Sequence, residues 1–202
     1  MNNQKQKLLV GTHNQGKLDL IKRFLQSTAY HVVSLSELDI TFDVEETGVT
    51  FEENALLKAR HYFQMSGVPT VADDGGLEVD ALQGEPGVYS SRYAGPHKTD
   101  AQKVDFLLEK VKDVPEDKRT ARFVSVIALA LSADDIRLYK GVSYGTLALA
   151  PQGTPVVHLP YRQIFIPEGH TVSMDELDDK GIAYITHRDK AFELLLKDLA
   201  AK

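Results

Sequence analysis

Two kinds of side chain stand here at spacings suited to phosphate chemistry: cations beside glycines, and paired carboxylates beside glycines. In "GTHNQGKL", Gly11, Gly16 and Lys17 keep the G-x-x-x-x-G-K spacing of a phosphate-cradling loop. The N–H groups of such a loop and the positive end of the helix it opens suit an anion. Lys17 adds a mobile charge, and Thr12 and Asn14 add neutral donors. The next position, which holds Mg²⁺ through a hydroxyl in the P-loop pattern, is Leu18, so a metal would need ligands from elsewhere. "DVEETG" and "VADDGG" offer them as Glu45 with Glu46 and Asp73 with Asp74. Neighbours on an extended segment point to opposite sides, so one of each pair faces a given site and the other braces backbone or a nearby cation. One carboxylate from each stretch supplies the hard oxygens Mg²⁺ prefers, with phosphates and water completing its shell. Lys58 sits where it can reach phosphates from one side, and His187 with Arg188 in "THRDK" can donate to carbonyl groups of a base. Taken singly, each feature also reads as an ordinary turn, a solvated acidic pair or a surface cation; it is their conjunction that points to a site.

The elements that must position these residues alternate early and pair later. Residues 7–12 read as a buried strand feeding a helix with Leu18, Ile21 and Leu25 on one face, and "YHVVSLSEL" reads as a second strand. "TFEENALLKARHYFQMSG" is a helix opened by the capping box Thr50/Glu53 and stopped by Gly67 and Pro69. "PTVADDGGLEV" reads as a strand running into an acidic, glycine-rich turn. A further helix follows Thr99, capped with Gln102. "ARFVSVIALAL" and "IRLYKGVSYGTLALA", separated by "SADD", read as an antiparallel core pair, and "RDKAFELLLKDLAA" reads as a final amphipathic helix. The expectation is a mixed α/β fold that can split into two lobes.

Bulk properties narrow the partners. A net charge of −6 with no Lys/Arg-rich run counts against a nucleic-acid polymer, so phosphates would come on small molecules. No apolar run approaches the roughly 18–20 residues that cross a bilayer, so no membrane partner is expected. The opening "MNNQKQKLLV" lacks the apolar core of a secretory signal, and the chain has no cysteine. Together these place the protein in the cytoplasm as an expectation.

In order, "THNQGK", "EETGVTFEENALLKAR", "VADDGGLEVDALQGEPGVYSSRYAG" and "THRDKA" closely resemble the inosine/xanthosine triphosphate pyrophosphatase family, and the resemblance runs from Leu8 to the last helix. It implies a homodimer whose subunit, residues 1–202, is one domain. In it a long mixed sheet is split into two lobes, with helices packed on the sheet and a central substrate cleft. It implies Mg²⁺-dependent hydrolysis of the α–β phosphoanhydride of a nucleoside triphosphate, giving the monophosphate and pyrophosphate. By position, Thr12, His13, Asn14, Gln15, Gly16 and Lys17 would grip the phosphates. Glu45 and Asp74 would hold the metal, Asp74 would serve as general base, and Lys58 would contact the triphosphate. Lys180, His187 and Arg188 would favour a 6-keto purine. Leu18 then packs in the core.

Two departures stand out. Gly75 replaces a serine usual in the family, removing a hydroxyl contact. The family's F-G-Y-D-P-I-F turn, whose aromatic stacks on the purine and whose Asp helps recognise it, is "LPYRQIF" here. Leu159, Pro160, Arg162 and Gln163 are the changes, and Tyr161 is retained. Losing an aromatic stack removes roughly 1–3 kcal/mol of base contact. Three accounts stay open: an inosine/xanthosine preference kept through Lys180, His187 and Arg188; a shift to another nucleotide, with Arg162 addressing a different base edge or phosphate; or a weakened enzyme kept as a nucleotide- or partner-binding protein. Retention of Lys17, Glu45, Lys58 and Asp74 argues against the last.

Overall fold

A computed structural model describes residues 5–200; the expected end of the last helix at Ala201 and the residues before Lys5 lie outside them. Six strands form one mixed sheet in the order β2-β1-β3-β4-β5-β6. β1 (Lys7–Val10) lies parallel to both β2 (His31–Ser34) and β3 (Thr70–Val79), with Leu9 opposite Val33 on one side and Thr70 on the other. β4 (Thr120–Ala130) and β5 (Ile136–Leu147) are neighbours, and at their turn the Leu131 N–H donates to the Asp135 carbonyl (2.9 Å). β6 (Phe165–Pro167) runs antiparallel to β5. The helices are α1 (Gln15–Leu25), α2 (Phe51–Ser66), α3 (Asp100–Val111), α4 (Met174–Asp179) and α5 (His187–Ala200).

Local chemistry accounts for the helix ends. Both expected capping boxes form, Thr50 with Glu53 and Thr99 with Gln102, each satisfying otherwise orphaned N–H groups. α2 ends on Gly67 at φ 65, a left-handed cap that costs glycine least. Two readings need correction. The second strand stops at Ser34, where Glu37 folds back to accept from the Ser34 N–H (2.7 Å), and 36–38 becomes a single 3₁₀ turn. The "DDGG" stretch is not a turn but the middle of β3. The strand continues because buried partners satisfy Asp73, and because Gly76 leaves room for Ser90: a Cβ at Gly76 would lie 2.2 Å from the Ser90 hydroxyl, which accepts from the Leu77 N–H (3.0 Å). The short α4, capped by the buried Ser173, carries no hydrophobic period long enough to announce it.

The chain divides into two compact units. The first runs up to Asp74 and includes Ser125–Gly141 and the chain from Arg188 onward; the second is Gly75–Val124 with Val142–His187. In the first, β1 and its neighbours are covered by α1 and α5 through Leu8, Val10, Leu18, Ile21, Leu25, Phe192 and Leu195, while Leu9, Val33, Leu35, Ile40 and Tyr62 form a second apolar cluster. Leu18 is buried as expected. The second unit has its own core, including Leu77, Val104, Leu107, Phe123, Tyr161 and Phe165.

Candidate active site

The first unit gathers most of the expected phosphate and metal residues around β3. Asn14 caps α1, accepting from the Lys17 N–H (3.0 Å), and its own N–H donates to Thr12 Oγ1 (3.1 Å). This leaves Gln15 and Gly16 exposed at the positive end of the helix. The Gln15 side chain turns away to Asp19 (2.8 Å), and His13 Nε2 donates to the Phe42 carbonyl (2.9 Å). One turn into α1, Lys17 reaches β3, with Nζ 3.1 Å from Asp73 Oδ2 and donating to the Asp73 carbonyl (3.2 Å).

α2 holds the acidic loop before it. Tyr62 donates to Asp43 (3.0 Å), Asn54 Oδ1 accepts from the Gly48 N–H (2.8 Å), and Glu53 accepts from the Val49 and Thr50 N–H groups. Gly48 is required by this close approach, since a Cβ there would sit 2.6 Å from Asn54 Oδ1. One turn further on, the buried Lys58 donates to Glu46 Oε1 (2.8 Å), Asp74 Oδ1 (2.9 Å) and the Asp73 carbonyl (2.9 Å). Lys17 and Lys58 therefore share one carbonyl oxygen, with their ammonium groups side by side.

The two aspartates split as alternation along β3 requires. Asp73, 2 % exposed, accepts from Ser125 Oγ (2.6 Å) and faces Lys17 and Arg188, whose Nε is 3.7 Å away. Asp74 faces Lys58. Of the glutamates, Glu46 reaches Lys58 while Glu45 is exposed. One residue that the sequence did not single out thus joins the network, Ser125. The brace role expected for one member of each pair falls to Asp73 and Glu46; only a serine inside the apolar run "RFVSVIALAL" hinted at Ser125.

The two aspartates have opposite electrostatics. Burial would raise the Asp73 carboxyl, but Lys17, Arg188, the Ser125 hydroxyl and Lys58 outweigh it and hold Asp73 well below the usual carboxylate range. Burial raises Asp74, and Lys58 and Lys17 offset this only in part. For Lys58 burial is outweighed by Asp74 and Glu46, so it stays charged.

The second unit holds the remaining expected residues. Tyr161 lies in its core, 4 % exposed, and donates to the Ser90 carbonyl (3.0 Å); Leu159 is half-buried, as is Gly75. Arg162 donates from Nε to Asp175 Oδ1 (2.7 Å) and from Nη2 to Asp178 and to the Tyr184 hydroxyl (2.9 Å). Lys180 ends α4 and pairs with Glu176 one turn back (3.0 Å). His187 is buried and stacks on Phe123, with ring centroids 4.9 Å apart and planes at 13°.

A model of the Ham1 family matches residues 8–198. The chain belongs to the Ham1 family. It is 42% identical over 194 residues to a dITP/XTP pyrophosphatase of Vibrio cholerae, covering 95% of each chain, and 37% identical to one of Bacillus subtilis, covering 96% of each. Among solved structures, the Ham1 protein of Staphylococcus aureus superposes with a TM-score of 0.86 at 37% identity, over 97% of this chain and 99% of that one. A HAM1 protein from Coxiella burnetii superposes with a TM-score of 0.88 at 35% identity, over 98% and 100%. The mixed α/β sheet is thus the Ham1 fold, and the Lys17–Asp73–Lys58–Asp74 network lies within the matched Ham1 region.

Proposed function

We propose that this protein is a nucleoside triphosphate pyrophosphatase acting on non-standard purine nucleotides such as dITP, ITP and XTP, releasing the monophosphate and pyrophosphate. The observation that carries the reading is the pair of ammonium groups, Lys17 and Lys58, meeting on the Asp73 carbonyl beside the Asp74 carboxylate. Two cations side by side suit a polyphosphate, and a carboxylate next to them suits proton removal from a water. The names of the relatives support the same chemistry.

In this reading, Lys17 and the exposed N–H groups at the start of α1 bind the phosphate chain, and Lys58 leaves Asp74 to neutralise charge building on the phosphoryl oxygens. Asp74, freed of its cation, takes the proton of the attacking water; a carboxyl raised by burial is the better base. Lys58, an ammonium held between the Glu46 and Asp74 oxygens, marks where a cation is tolerated. Among the described residues no group of three or more His, Cys, Asp or Glu side chains could hold a metal alone, which suits an ion that shares its shell with substrate phosphates. Mg²⁺ held by Asp74 with Glu45 or Glu46 would reduce repulsion between the phosphoryl oxygens and an incoming nucleophile. Lys180, His187 and Arg188 remain candidates for reading a 6-keto purine, in keeping with the resemblance. A cytoplasmic homodimer belongs to the same proposal; among the described residues no helix is long and apolar enough to cross a membrane.

The test is to incubate the protein and Mg²⁺ with ITP, XTP, dITP, GTP, ATP, UTP and TTP, separating pyrophosphate from orthophosphate release. Pyrophosphate from ITP, dITP and XTP, absent in Asp74→Asn, is the expected result; orthophosphate, or no turnover of any member, would overturn it.

A further inference from the structure

Arg162 inverts a charge in the turn that the resemblance assigns to the base, and its surroundings show why the inversion is tolerated. The turn is a 3₁₀ segment, Pro160–Gln163, opened by the buried Pro160. Around it the Gln152 N–H donates to the Gln163 carbonyl (2.9 Å) and the Ala148 N–H to the Ile164 carbonyl (2.7 Å). The Arg162 side chain, 14% exposed, lies against one face of α4, where Asp175 and Asp178 are three residues apart. Asp175 is fully buried, and its other oxygen accepts from the Val156 N–H (3.4 Å). Tyr184, which accepts from Arg162, donates in turn to the Met174 carbonyl (3.4 Å). One guanidinium thus ties together the 160–163 turn, both ends of α4 and the 180–187 segment. An aspartate in its place would face two further carboxylates, one of them without access to water.

We infer that Arg162 is a positioning residue: it does not address the nucleotide but clamps the "LPYRQIF" turn to α4 and Tyr184, and so fixes the path of the segment that carries Lys180 and His187. Three of the five guanidinium donors, on Nε and Nη2, go to Asp175, Asp178 and Tyr184, which fixes the plane of the fork against α4. The clamp itself stands on geometry, while its effect on turnover rests on the pyrophosphatase reading.

A four-member cycle tests it: wild type, Arg162→Met, Asp175→Leu and the double variant, each measured for thermal midpoint and for KM and kcat with ITP and GTP. Removing one partner strands the other, whereas replacing a buried ion pair by apolar groups is often neutral. Each single variant should lower the midpoint and raise KM for ITP about fivefold or more, with kcat within about twofold. The double variant should recover both, with the ITP-to-GTP preference of the wild type. A double variant that regains the midpoint but keeps the KM defect or loses the base preference would show that Arg162 touches the nucleotide, and would overturn the inference. Single variants indistinguishable from wild type would overturn it as well. Should a single variant fail to fold, Asp178→Asn loosens the same clamp at its more exposed side and should raise KM without changing kcat; an unchanged KM there refutes the clamp. If the wild type hydrolyses no triphosphate, the functional reading fails, while non-additive midpoints across the cycle still decide the clamp.

Discussion

Replacing Asp73 by Asn removes a charge without changing shape, and the structure sets the scale of the loss. The Asp73 carboxylate is 2 % exposed, bonded to Ser125 at 2.6 Å and facing Lys17 at 3.1 Å and Arg188 at 3.7 Å. Breaking a buried ion pair by removing one partner costs about 3–5 kcal/mol, because the other charge is left uncompensated. The Lys17 side chain is 21% exposed and Arg188 13%, so water recovers part of the loss and the lower end, about 3 kcal/mol, applies. For a chain of this length each kcal/mol moves the midpoint by roughly 2–4 °C, so Asp73→Asn should melt about 6–12 °C lower at neutral pH. The sign with pH follows from the depressed carboxyl. A group whose folded value lies below its ordinary value of 3.8 adds stability above that value and loses it as pH falls through the folded one. The gap between wild type and variant should stay constant from neutral pH to about pH 5 and narrow in stronger acid. Calorimetry across pH, with kcat/KM for ITP on the same samples, checks both halves. The companion Asp74→Asn should lose turnover yet melt close to wild type, because burial already disfavours the Asp74 charge. If Asp73→Asn melts like wild type and turns over normally, the buried carboxylate does not hold the two cations and the reasoning fails.

Further outcomes follow from the same contacts. Lys58→Met leaves Glu46 and Asp74 without their shared cation; turnover of ITP should vanish and the midpoint fall, as read by calorimetry. Because Asp74 is raised and must be ionised to act, kcat should fall on the acid side with a midpoint above 3.8, which a pH–rate profile reads directly. Gly48→Ala pushes a methyl against Asn54 and Glu53 and should cost about 1–3 kcal/mol while raising KM, since the acidic loop can no longer seat on α2. Chelation with EDTA should stop turnover but barely change the midpoint, since no metal cage is evident among the described residues; Mg²⁺ should restore activity.

What could be read from the sequence was what local rules control. The capping boxes at Thr50 and Thr99, the burial of Leu18 and the splitting of Asp73 from Asp74 follow from side-chain reach and strand period, and the structure shows all of them. The strand through "DDGG" was not legible, because Asp and Gly are poor strand formers and what rescues them, Ser125, Ser90 and two lysines, comes from distant segments. The environment of Arg162 was hidden for the same reason. "DELDD" looks like a solvated acidic run, yet Asp175 is fully buried against a guanidinium thirteen positions earlier. Lys180 was legible only as a lysine; its partner is Glu176 on its own helix.

The adjacency of Asp73 and Asp74 is a division of labour that one strand enforces. Two ammonium groups and a guanidinium drawn together repel one another unless a fixed anion lies among them. Asp73 supplies that anion from the side of β3 where Ser125 and Arg188 lie, and its carbonyl seats both lysines. Being held ionised, it is too weak a base to take a proton. Asp74, one residue on and turned the other way, pairs with Lys58 and is pushed up by burial, which Lys58 and Lys17 offset only in part. Only this carboxylate can exchange its partner for substrate and take up a proton. Adjacent carboxyls whose surroundings drive them apart in acidity separate charge balance from proton transfer. Loosening Asp73 alone should therefore impair the chemistry: Ser125→Ala with Arg188→Leu should lower kcat/KM while Asp74 itself is untouched, a loss that steady-state kinetics with ITP would register.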